Sequence, residues 1–90
     1  MADEASHHVY IIECNDGTLY TGYALDVKQR VEAHNAGHGA KYTRGRRPVR
    51  LLYSEVYDDK SAALRRELEI KAKPREAKLR LIRENGEEDT

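Results

Sequence analysis

The sequence predicts an α/β (α+β) domain: a small three-stranded, largely antiparallel sheet flanked by helices, in the order β-β-α-β-α-α. Three observations carry this expectation. β-branched and aromatic residues run on either side of Asn15-Asp16-Gly17, the pattern of a tight hairpin. Residues 49–57 form another run rich in Val, Leu and Tyr. Three of the remaining segments open on helix-capping residues or a proline, and the first and third of these close on glycine.

The hairpin pairs His8-Val9-Tyr10-Ile11-Ile12-Glu13-Cys14 with Thr18-Leu19-Tyr20-Thr21-Gly22-Tyr23. A three-residue loop puts Gly17 in the left-handed region and pairs Cys14 with Thr18. That register sets Tyr20 opposite Ile12 and Gly22 opposite Tyr10. Side chains alternate along a strand, so both phenols fall on one face as diagonal neighbours. Gly22, with no side chain, leaves space beside the Tyr10 ring. Cross-strand aromatic contact is a common reason for such a pair; two phenols at the edge of a hole also suit a site.

Asp26, with Gln29 three residues on, caps a first helix that runs to about residue 36 and stops at Gly37. Val27 and Val31 give its inward stripe, with Arg30 and His34 as a second stripe beside it. Residues 37–48 read as a loop and 49–57 as the third strand. Asp58, Asp59 and Ser61 offer caps for a second helix over about 60–72. Pro74 opens a third at its favoured first position, and Asn85-Gly86 closes it.

In the second helix Ala63, Leu64, Leu68 and Ile70 define an apolar face, from whose middle Glu67 projects while Glu69 points to solvent. A carboxylate in an apolar stripe is costly unless paired, protonated or bound to a cation. An internal salt bridge to Arg30 or another base competes here with a metal ligand.

The 90 residues make one small domain, residues 7–83, with acidic tails at 1–6 and 84–90. A net charge of zero conceals an asymmetry, because residues 7–83 hold 16 basic against 10 acidic residues, a charge of +6. A basic body suits a polyanion partner, although acidic tails also serve solubility alone. The single Cys14 cannot form an internal disulfide, no apolar run reaches membrane-spanning length, and no secretory signal is present. A cytoplasmic protein with no membrane partner is expected.

Residues 41–50 hold Lys41, Arg44, Arg46, Arg47 and Arg50 together with Tyr42. Phosphates attract such a segment through counterion release, and Tyr42 offers a ring for an unpaired base. The plain alternative is a solvated basic loop. His7, His8, His38 and Cys14 lack the paired close spacings of a structural zinc site.

The segments His8-Val9-Tyr10 and Tyr20-Thr21-Gly22 resemble the two halves of the GIY-YIG nuclease motif. Arg30, after Gly22, stands where that family keeps an arginine, and Ala63-Leu64-Arg65-Arg66-Glu67 resembles its metal-binding glutamate helix. The likeness runs from about residue 8 to 82 and is greatest to small stand-alone, single-domain members. His8 replaces the first glycine and Thr21 the isoleucine of the second half; both departures bear on substrate preference.

The resemblance implies a divalent-metal-dependent endonuclease acting on DNA, with RNA as the alternative, in repair, recombination or processing. It implies that Glu67 is the metal ligand, for Mg²⁺ or Mn²⁺, and that Arg30 holds the phosphate. One carboxylate suffices for a hard cation that keeps water and phosphate as its other ligands. Tyr10 or Tyr20 is implied as the base; the sequence does not choose between them, and Tyr10 is the first choice. A phenol with a pKa of about 10 is roughly one part in a thousand ionised at pH 7. It needs a nearby guanidinium and cation, or a relay through His34, whose other reading is a helix C-terminal residue suited to the dipole. Lys41, Tyr42, Arg44, Arg46 and Arg47 are the expected nucleic-acid contacts, with weak sequence specificity because no base-reading helix is evident. So small a domain leaves room for a protein partner that targets it. The rival reading is a non-catalytic nucleic-acid-binding module on the same fold.

Overall fold

The hairpin forms in the register its turn dictates. In the computed structural model, which describes residues 6–86, β1 (His7–Glu13) pairs antiparallel with β2 (Leu19–Ala24) so that Tyr10 faces Gly22 and Ile12 faces Tyr20. Gly17 has φ +87°, and the Cys14 N–H donates to the Thr18 carbonyl at 2.8 Å. The Asp16 carboxylate accepts from the Thr18 amide and hydroxyl, which fixes the turn from its own side chain.

α1 (Val27–Asn35), α2 (Lys41–Arg44), β3 (Arg50–Tyr57), α3 (Lys60–Lys71) and α4 (Arg75–Gly86) follow. β3 pairs antiparallel with β1, giving the order β2-β1-β3 with β1 in the centre. Alternation along β1 then divides the interior into two clusters. Tyr10, Ile12 and Cys14 join Ala24 and Val49 under Val27 and Val31 of α1. Val9 and Ile11 join Ala63 and Ile70 of α3 on the other face, with Leu81 and Ile82 of α4 packed against them.

α1 starts as its sequence requires, with the Asp26 carboxylate accepting from the Gln29 amide at 3.0 Å. It ends in a Schellman motif: Gly37 has φ +87°, its N–H reaches the His34 carbonyl and that of His38 the Ala33 carbonyl. Residues 37–48 are not all loop, since α2 inserts one helical turn there. Its single turn lay below the length at which periodicity can be read.

α3 is capped by Asp59 and spans its expected range, but its buried face differs from the expected one. Ala63 and Ile70 are buried and Arg66 and Glu67 half-buried, whereas Leu64 and Leu68 are exposed. The inward stripe therefore has the i, i+3, i+4, i+7 spacing of 63, 66, 67 and 70, rotated from the one that would have buried both leucines. What turns Arg66 inward is Glu55 of β3. Glu55 accepts from Arg66 Nε at 2.9 Å and Nη2 at 3.0 Å, from the Tyr57 hydroxyl at 2.7 Å and from the Tyr53 hydroxyl. Burial pushes the Glu55 carboxyl up, but the hydrogen bonds from Arg66, Tyr53 and Tyr57 outweigh it and leave it below the ordinary carboxylate range.

Glu84 of the expected C-terminal tail belongs to α4, which continues to Gly86; residues 1–5 and 87–90 lie outside the described residues. Among the described residues no helix is long and apolar enough to cross a membrane.

Candidate active site

Tyr10 is the centre of the site, and two glycines determine how it is held. The space expected beside Gly22 is taken by the Tyr10 ring, because a Cβ at Gly22 would lie 2.5 Å from the Tyr10 hydroxyl oxygen. The ring thus lies across β2. A Cβ at Gly39 would lie 2.2 Å from His34 Nδ1, so the chain after α1 passes directly over the imidazole.

His34 is buried and both of its ring nitrogens are engaged. Nε2 lies 2.9 Å from the Tyr10 hydroxyl, and Nδ1 lies 2.8 Å from the Thr43 hydroxyl, which itself donates to the Ala40 carbonyl at 2.9 Å. Burial, and then the positive charge of Arg30, hold the imidazole below the ordinary histidine pKa, so it is neutral at pH 7.

Tyr20 shares the face with Tyr10, their ring centroids 6.5 Å apart, and sits edge-on to His34 at 5.4 Å. Its hydroxyl makes no side-chain hydrogen bond among the described residues, which separates the two phenols that the sequence left equivalent. Tyr42 stacks on Tyr20 at 5.9 Å, and the Arg46 guanidinium lies over the Tyr42 ring at 4.2 Å.

Arg30 is exposed on α1. The Tyr10 phenol is pushed up to about 12, chiefly by burial and then by Tyr20; Arg30 pulls it down and Glu67 adds a smaller upward push. The charges of α1 and α3 therefore both act on the hydroxyl that β1 supplies. Without a cation, the attraction of Arg30 does not outweigh burial. Glu67, little exposed, pairs with Lys71 Nζ at 2.9 Å one turn along α3. Its base is thus Lys71 and not Arg30. The hydrogen bond to Glu67 raises the Lys71 amine, and the proximity of Tyr20 adds to it.

The donor set fits a hard cation held by one carboxylate. Glu67 already attracts a cationic group, and that group, an ammonium on a half-exposed side chain, can swing away. It does not fit a fully protein-ligated metal, since among the described residues no three His, Cys, Asp or Glu side chains converge.

The basic segment divides into two sets. Arg46 donates to Asp16 at 3.1 Å and Arg47 to the Asn35 and Arg44 carbonyls, while Arg50 pairs with Glu13. These three fix the loop to the hairpin tip and to the end of α1. Lys41 and Arg44 are exposed and enter no ion pair among the described residues. Tyr42 stays exposed while its ring stacks on Tyr20 and lies beside the Arg46 guanidinium.

Thr43 was missing from the residues singled out in the sequence. A threonine in a basic loop carries no signal until α2 brings it under His34.

The family model for the GIY-YIG catalytic domain matches residues 6–80. The UPF0213 protein of Staphylococcus aureus (strain Mu3 / ATCC 700698) is 65% identical over 79 residues, covering 88% of this chain and 96% of the relative. The solution NMR structure of the UPF0213 protein BH0048 from Bacillus halodurans aligns with a TM-score of 0.61 at 46% identity, covering 92% of this chain and 88% of that one. The NMR structure of EF2693 from E. faecalis aligns with the same TM-score and coverage at 34% identity.

Proposed function

The chain belongs to the GIY-YIG catalytic domain family, and we propose that it is a divalent-metal-dependent endonuclease hydrolysing phosphodiester bonds, in DNA ahead of RNA, with weak sequence specificity. One observation supports this above the rest: the Tyr10 hydroxyl is bonded to a neutral histidine while Arg30 and Glu67, from two different helices, bear on it electrostatically.

The attacking water gives its proton to the Tyr10 oxygen as the Tyr10 proton passes to His34 Nε2. No free phenolate has to accumulate, which a phenol at about 12 would populate in only about one molecule in 10⁵ at pH 7. The positive charge ends on His34, next to a phosphate turning more negative. Arg30, exposed and permanently charged, presents its planar fork to the phosphoryl oxygens. Tyr20, with a free hydroxyl beside Tyr10, orients the water. Glu67 would hold Mg²⁺ or Mn²⁺, which supplies charge neutralisation at the phosphoryl and leaving oxygens. Lys41 and Arg44 reach phosphates along the strand, and such contacts position without reading sequence. The family resemblance suggests a role in repair, recombination or processing, with targeting by a protein partner.

The test is cleavage of branched, single-stranded and duplex substrates with and without Mg²⁺ or Mn²⁺. Wild type should cut only with metal. Tyr10→Phe should lose about 100-fold or more of the rate while binding stays near wild type, because only the ionisable oxygen is lost. Wild-type rates from Tyr10→Phe would remove Tyr10 from the mechanism. Salt-dependent binding without cutting by either protein would make this a binding module on a nuclease fold.

A further inference from the structure

We infer that Thr43 is a positioning residue that fixes His34 in the Nδ1–H tautomer, so that the lone pair of Nε2 is presented to the Tyr10 hydroxyl. The inference deepens the nuclease reading above and follows from counting protons. The Ala40 carbonyl can only accept, so the single hydroxyl proton of Thr43 is committed to it. Toward His34, Thr43 therefore has only a lone pair to offer. The 2.8 Å contact then requires a proton on His34 Nδ1. A neutral imidazole carries one proton, so Nε2 is bare and the 2.9 Å contact requires Tyr10 to donate. The direction of the whole chain, Tyr10 to His34 to Thr43 to Ala40, is set at its Thr43 end.

The surroundings hold this arrangement in place. Thr43 is fully buried, and α2 gives it the geometry to reach back to Ala40 with both its amide and its hydroxyl. Gly39 lets that segment close over the imidazole without a Cβ in the way. Arg30, Tyr10 and Tyr20 also lie near His34, and among the described residues Nδ1 makes its hydrogen bond to Thr43 and to none of these. With the opposite tautomer, Nε2–H would donate to the Tyr10 oxygen, and the phenol proton would have no base to move to. Thr43 touches neither water nor phosphate in this scheme and acts only through His34.

The ¹⁵N chemical shifts of the His34 ring, measured on the full chain at a pH where the imidazole is neutral, test this without any nuclease assay. Wild type should show a protonated Nδ1 and a bare Nε2. Thr43→Val, of similar shape, should shift the population toward Nε2–H, and Thr43→Ser should restore the wild-type pattern. In cleavage assays Thr43→Val should lower kcat by about 100-fold with KM near wild type, and Thr43→Ser should recover most of it. A wild-type ring protonated at Nε2 overturns the inference, and needs no variant to fold. An unchanged tautomer in folded Thr43→Val overturns it equally. Should no substrate be cut, the nuclease reading fails while the ring measurement still decides the role of Thr43.

Discussion

The Glu55 cluster and the Tyr10 site use the same three residue types to opposite ends. On the face covered by α3 and α4, Glu55 takes hydrogen bonds from two tyrosines and an arginine, and Arg66 has a further partner in Glu69. These groups satisfy one another and close the structure. At the Tyr10 site, among the described residues, Tyr20 makes no side-chain hydrogen bond, Arg30 of α1 stays exposed, and Glu67, the residue of α3 whose charge bears on Tyr10, pairs with a half-exposed lysine. Their capacity to bind is left open. Composition cannot distinguish a clamp from a site when both are built of Tyr, Arg and Glu; the number of partners already engaged can.

The largest effect expected from this contrast is on stability. Arg66→Met should cost about 3 kcal/mol, because it leaves the Glu55 carboxylate largely buried without its cation. Replacing Glu55 by Gln in the same chain should recover part of that loss. Glu67→Ala, which removes the glutamate of the Tyr10 site, should change stability by no more than about 0.5 kcal/mol, since Lys71 is half in water. Urea unfolding of the three variants makes the comparison. Equal losses from Arg66→Met and Glu67→Ala would erase the distinction between cluster and site.

A smaller effect concerns pH. The His34 pKa is depressed in the folded chain, so the unfolded chain takes up its proton first as pH falls. The stability this contributes is fully present above the ordinary histidine value of about 6.5, and is lost as pH drops through the folded value. The urea midpoint of wild type should fall between about pH 7.5 and pH 5, and that of His34→Gln should fall less. Parallel losses in the two proteins would assign the acid sensitivity to other groups.

The smallest effect sharpens the comparison from the side of the sheet that carries the Glu55 cluster. Thr21, whose side chain points to the same side of β2 as Leu19 and Tyr23, is buried with a hydroxyl that has no hydrogen-bond partner among the described residues. Thr21→Val keeps the shape, removes the orphan and should raise stability by about 1 kcal/mol. A loss instead would mean that the hydroxyl is satisfied by water.

The hairpin, its register and both long helix caps were legible because each rests on local chemistry: Asp16 and Gly17 make the turn, and Asp26 and Asp59 accept from amides three residues on. That same register brought Tyr10 and Tyr20 to one face. The rotation of α3 was not legible, because Leu64 and Leu68 outweigh Arg66 in any hydrophobic pattern until Glu55, eleven residues away, turns the helix. Nor was Thr43, whose role depends on a one-turn helix and on a histidine nine residues earlier. The basic segment looked uniform, yet Arg46, Arg47 and Arg50 are engaged with partners that only the fold brings near.

Because β1 is the central strand, its successive residues belong alternately to the chemistry and to the scaffold: Val9 and Ile11 to one, Tyr10 to the other. Substitution at any one of them disturbs a single face. Loss or gain of one residue between His8 and Ile12 would turn every later side chain of the strand to the wrong side, placing a phenol against α3 and an isoleucine under His34.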